Sequence, residues 1–152
     1  MTNPTALNHG IEAIVEQLTY LVDELEAQRP WITRIPEVQL TGRPMDSIPS
    51  LLDIYVRMAE KEWNDYVPTL TDLAAKPMLD SGSVSKVIDF IQAGRRAVVE
   101  ALTSLSEADW VVAVNETDET VADFAFQITQ SDSTFLRTIA ERLHESLITF
   151  SR

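Results

Sequence analysis

The residues able to do chemistry are few in this chain, and their spacing narrows what they can do. Histidine is the commonest metal-binding side chain, and the sequence offers His9 and His144 alone. His9 sits near the start of the first helical pattern and His144 near the end of the last. An up-down-up-down order of helices would bring them to one end, where Glu12, Glu141 or Glu145 would join them. An up-down-down-up order leaves them as two unrelated surface histidines. A di-iron bundle needs Glu-x-x-His on two helices, and no such motif occurs. Glu60 and Glu62, in Ala-Glu-Lys-Glu-Trp, read as a solvated face, with Glu60 the one expected to graze the interior. Asp132 is the most unusual acid. Ile128, Asp132, Phe135 and Ile139 follow steps of four, three and four, so a carboxylate interrupts an apolar stripe. Buried, it must find a partner or shift its titration. At a boundary position Arg57, Arg137 or water would serve; the other reading is the floor of a polar pocket, with Gln127 and Ser131 on neighbouring positions. There is no cysteine, no Gly-x-Ser-x-Gly, no phosphate-cradling glycine loop and no histidine beside a serine, so no nucleophile is armed.

Four segments with helical periodicity must position these groups. The first, from about Thr5 to Gln28, places Ile11, Ile14, Val15, Leu18, Leu21, Val22 and Leu25 on one stripe, and Pro30 is expected to stop it. Residues 29–46 form a long connection, too long for a tight helical hairpin. Asp46 or Ser47 should cap the second helix, with Pro49 in its first turn; Leu51, Leu52, Tyr55, Met58, Ala59, Trp63 and Tyr66 form its apolar face. Pro68 should kink or end it, and Pro77 closes an extension through Leu70 and Leu73. A third helix starts near Ser83 or Ser85. Gly94 within it costs about 1 kcal/mol against alanine and so implies a close helix contact. The run Trp110 to Val114 resembles a short strand without a partner. Thr117 or Thr120 then caps the fourth helix, through Val121, Phe124, Ala125, Ile128, Phe135, Ile139 and Leu143. Trp31, Trp63 and Trp110 fall near loops or helix ends, as core anchors or as the mouth of a cavity. The expected fold is all-α, a four-helix bundle forming a single domain over residues 1–152.

Composition excludes several classes. A chain of 152 residues with 45% hydrophobic and 24% charged side chains is an ordinary globular domain. A net charge of −12 repels nucleic acid and anionic membrane surfaces. No signal peptide or membrane-spanning run is evident, which points to a cytoplasmic protein.

With these residues in place, the chain resembles the DinB/YfiT-like superfamily. The likeness is carried by Ser47-Ile48-Pro49-Ser50-Leu51-Leu52, similar to the family's Trp-Ser-Ile-x-Glu-x-Leu helix start, and by Ala108-Asp109-Trp110. It is carried also by the run from Ser131 to Ile139, similar to His-Asp-x-x-His-Leu-x-x-Ile. The resemblance implies an up-down-down-up bundle, often a homodimer, with three histidines holding a divalent metal. Characterised relatives include transferases and isomerases that use low-molecular-weight thiols such as mycothiol or bacillithiol. In this chain the family's metal-site positions fall at Ile54, Ser131 and Phe135. Two of these have no donor atom, and a one-residue shift offers only Asp53, Tyr55 or Asp132. No metal or other cofactor is therefore expected.

Three readings follow. The first is a metal-free, non-catalytic module that binds a small molecule or a protein partner at the former metal pocket, around Ile54, Ser131 and Phe135, with Gln127, Asp132, Tyr55 and Glu60 as polar pocket residues. The second is a metal-dependent enzyme of the thiol-dependent transferase type, with a relocated carboxylate site built from Asp132, Glu60 and a histidine. The third is a structural or oligomerisation unit without a pocket.

Overall fold

The computed structural model describes residues 4–43, 45, 47–72, 76–115 and 117–151, with side chains between 10 and 145. The His9 side chain, Asp46 and Leu73 lie outside the described residues. The described chain is all-helical: α1 (Pro4–Ile32), α2 (Glu37–Thr41), α3 (Leu51–Lys61), a π-helical turn (Glu62–Tyr66), α4 (Val67–Leu70), α5 (Val84–Thr103), α6 (Glu107–Trp110) and α7 (Val121–Ser151). None of the described helices is long and apolar enough to cross a membrane.

Pro30 does not stop α1. It lies inside the last turn, and the helix continues to Ile32, whose complete burial in the core offsets the lost bond to Glu26 and the crowding of its carbonyl. The connection that follows is not featureless, since it contains α2. The second helix starts later than its Ser-Ile-Pro lead suggests. Ser50, not Ser47, is the N-cap: its Oγ accepts from the Asp53 N–H at 3.0 Å and the Asp53 carboxylate accepts from the Ser50 N–H at 3.0 Å. This reciprocal box satisfies two donors of the first turn and leaves Pro49 outside the helix. Ser83 caps α5. Thr120 caps α7, exchanging hydrogen bonds with Asp123. The strand-like run does find a partner: Ala113 forms an isolated antiparallel bridge with Thr120, flanked by the Val114 N–H to Glu119 oxygen bond at 2.8 Å. Asn115, with φ of 48°, turns the chain between the two segments, as asparagine tolerates better than most residues.

Apolar stripes face one another as amphipathic helices require. α1 and α3 each pack against both α5 and α7. Leu18, Leu21 and Leu25 meet Leu51, Ile54 and Met58, Val87, Ile88, Ile91 and Val98, and Ala125, Ile128 and Ile139 in one core. Trp110 and Trp63 are buried, Trp63 with its ring 5.3 Å from that of Phe90 on α5, and Trp31 is half-exposed.

The π-turn is the irregularity that shapes the rest. The Val67 N–H reaches the Glu62 carbonyl five residues back, and the wide turn immediately precedes Pro68, whose ring would clash with the carbonyl four residues earlier in an uninterrupted α-helix. The turn itself packs closely against α5 at Gly94. A Cβ there would stand 2.8 Å from Glu62 Cγ and 2.8 Å from Trp63 Nε1, closer than such atoms pack. The Trp63 indole N–H donates to the Phe90 carbonyl at 2.8 Å.

Candidate functional site

The interior carries a charged cluster built on Arg95. This residue stands four after Ile91 and three before Val98 on α5, so the helix aims it at the core, where it is 0% exposed. A guanidinium has five N–H donors in a fixed plane, and all five are used. Nε and Nη2 donate to Glu62 Oε2 and Oε1 at 3.1 and 2.9 Å. Nη1 and Nη2 donate to Asp132 Oδ2 and Oδ1 at 2.5 and 2.9 Å. Nη1 also donates to the Leu18 carbonyl of α1 at 3.1 Å. One side chain thus ties together α1, the π-turn, α5 and α7.

Asp132 therefore has a partner that local spacing did not indicate. It is Arg95 of α5, while Arg57 and Arg137 are exposed. The two glutamates are also the reverse of expectation: Glu62 is 1% exposed and Glu60 faces solvent. Glu62 follows Met58 by four and Ala59 by three, which is the buried stripe itself.

Burial raises the titration of Glu62, against the opposing charge of Arg95, and the nearby Asp132 charge raises it further. Burial raises Asp132 as well, against its hydrogen bonds to Arg95. Burial works against the Arg95 charge too, but Glu62 and Asp132 outweigh it and hold the guanidinium protonated. The Tyr66 ring lies 6.0 Å from the Arg95 guanidinium carbon. Its hydroxyl, hydrogen-bonded by Ser131, is kept protonated chiefly by burial. Tyr66 is thereby a wall between the charged cluster and the surface.

On the outer side of that wall the π-turn and α7 enclose two adjoining clefts. One, of about 420 Å³, is lined by Lys61, Asn64, Tyr66, Phe124, Gln127 and Ser131, among others. The second, of about 490 Å³, is lined by Arg57, Glu60, Lys61, Asn64, Asp65 and Phe135. Both sizes fall within the range of small-molecule sites. Of the residues singled out from the sequence, Gln127 and Ser131 meet in the first cleft, and Phe135 and Glu60 in the second. Asp132 turns inward to Arg95. Ile54 and Tyr55 line neither cleft: Ile54 is core, and the buried Tyr55 hydroxyl donates to Gln28 Oε1 at 2.8 Å. The pocket is thus displaced outward from the one expected around Ile54. Lys61, Asn64 and Asp65 were missed because they read as an ordinary solvated face.

The residues at the expected metal positions do not fit a metal. Ile54 and Phe135 have no donor atoms, and both interior carboxylates are occupied by Arg95. Among the described residues no three histidine, cysteine or acidic side chains are grouped to hold an ion. His144 is exposed. No family model, curated protein or solved structure matches the chain.

Proposed function

We propose that this chain is a metal-free, non-catalytic member of the DinB/YfiT-like superfamily that binds a small molecule, or a segment of a protein partner, through the clefts at Gln127, Ser131 and Phe135. The observation that supports this most is the complete use of the Arg95 donors on Glu62 and Asp132. A permanently charged guanidinium sits between carboxylates that would otherwise be free to ligate, and the clefts outside Tyr66 are the ones that gather Gln127, Ser131 and Phe135. The reading carries with it a four-helix bundle in up-down-down-up order, a homodimer and a cytoplasmic location. The packing of α1 and α3 against both α5 and α7 is the support for the bundle. A relocated metal site is disfavoured because Asp132 is engaged and Glu60 faces solvent.

The test is a fragment screen read by amide NMR shifts on the intact chain. Hits should move the amides of Lys61 to Tyr66 and Gln127 to Ser131, and Ser131→Trp combined with Phe135→Ala should abolish them. Hits that cluster elsewhere, or that survive the double replacement, would overturn the assignment.

A further inference from the structure

We infer that the ligand of these clefts is a small, singly charged anion with a ring-sized apolar body, of the aryl carboxylate type; this rests on the clefts being the binding site. Three observations carry it.

The first is the state of the cations. Arg57 and Lys61 stand four apart on α3, and both line the second cleft. Among the described residues neither has a carboxylate within ion-pair distance; the same holds for Arg34, Lys76, Arg96, Arg137 and Arg142, but of these cations it is Arg57 and Lys61 that line the cleft. The π-turn accounts for part of this. In an uninterrupted helix Asp65 would stand four after Lys61, in position to pair; across the π-turn the two form no ion pair, although both line the clefts.

The second is the direction of the neutral groups. Lys76 Nζ donates to Asn64 Oδ1 at 2.7 Å. An ammonium can only donate, so the amide oxygen of Asn64 must face it. The acceptor of Asn64 is consumed and its NH₂ is left for a ligand. Together with Lys61 this gives the shared wall of the two clefts donors for an acceptor-bearing anion, beside the Asp65 carboxylate that lines both clefts.

The third is what bounds the charge and the body. Glu60 and Asp65 line the same cleft, and the chain carries a net −12, so a doubly charged phosphate is repelled where a single carboxylate is tolerated. Phe124 and Tyr66 in the first cleft and Phe135 in the second supply ring faces for an apolar body.

Benzoate, benzamide and benzamidine share one planar shape and differ in charge, so they separate the possibilities. Titrated into the intact chain and followed by amide NMR, benzoate should shift Lys61, Asn64, Tyr66 and Ser131. Benzamide should bind about tenfold more weakly, the scale of one charge-assisted hydrogen bond. Lys61→Met should weaken benzoate by about the same factor, and Arg137→Met, on α7 outside both clefts, should not change it. If benzamidine binds these clefts as well as benzoate, or Lys61→Met leaves benzoate unaffected, the anion assignment is overturned while the binding site stands. If no probe of any charge moves a cleft amide, the binding site itself falls.

Discussion

Replacing Arg95 by methionine keeps most of the buried stem and removes the charge. What remains is a pair of carboxylates that are 1% and 7% exposed, stripped of the four hydrogen bonds that now satisfy them. Breaking a buried pair from one side costs about 3–5 kcal/mol, because the abandoned charge stays in a poor solvent. A domain is stable by only about 5–15 kcal/mol in total, so this is a large share. For a chain of this length the corresponding drop in Tm is about 6–20 °C. Urea and thermal unfolding followed by circular dichroism would measure it. The loss should shrink on acidification, since protonating Glu62 and Asp132 relieves the unpaired charge. Converting all three at once, Glu62→Leu, Arg95→Met and Asp132→Leu, should recover most of the stability, because a buried ion triad is commonly matched by apolar groups of similar volume. A loss for Arg95→Met under about 1 kcal/mol, the scale of an exposed pair, would refute the reasoning.

Other variants probe separate parts of the account. The cluster has two carboxylates for one cation, and both titrate above their ordinary range. A carboxyl with a raised native pKa binds its proton more readily when folded, so its contribution is most favourable below the unfolded value of about 4 and declines as pH rises through the native titration. Glu62→Gln should flatten that decline in urea midpoints; an unchanged slope would show that Glu62 is not its source. Gly94→Ala should destabilise by about 1–3 kcal/mol through overpacking, despite the better helix propensity, and should alter the near-ultraviolet signal of Trp63. Gly10→Ala, with no atom within 4 Å of the added Cβ, should stabilise by up to about 1 kcal/mol. Tyr55→Phe strands the Gln28 acceptor and should cost about 1–3 kcal/mol in the same unfolding assay.

Local signals in the sequence located the helices well where a cap or a contact is local. Ser83 and Thr120 are the caps of α5 and α7, and Gly94 does mark a close approach. The errors have particular causes. Ser50 was passed over because the Ser-Ile-Pro lead drew the helix start three residues too early. Pro30 looked like a stop because its position in the last turn depends on where the helix ends, which core contacts of Ile32 decide. Glu62 is absent from the apolar face read for its helix, and Arg95 carries no signal of burial by residue type, although both sit on the three-and-four spacing of buried neighbours. Charge was read as exposure, which is sound for a single residue and fails when two helices bring opposite charges together. Asp132 was visible as an interruption. Its partner was not, because nothing local in α7 encodes which face of α5 it will meet. The clefts were hidden for a related reason: they depend on the π-turn, which has no periodicity of its own.

The most direct test of the central claim is the metal content of untagged protein, before and after incubation with zinc, nickel and manganese and removal of the excess. With Arg95 occupying the two interior carboxylates, metal should stay well below one per chain under every condition. Stoichiometric metal that is lost in Glu62→Gln or Asp132→Asn would contradict the account and place an ion where the guanidinium is described.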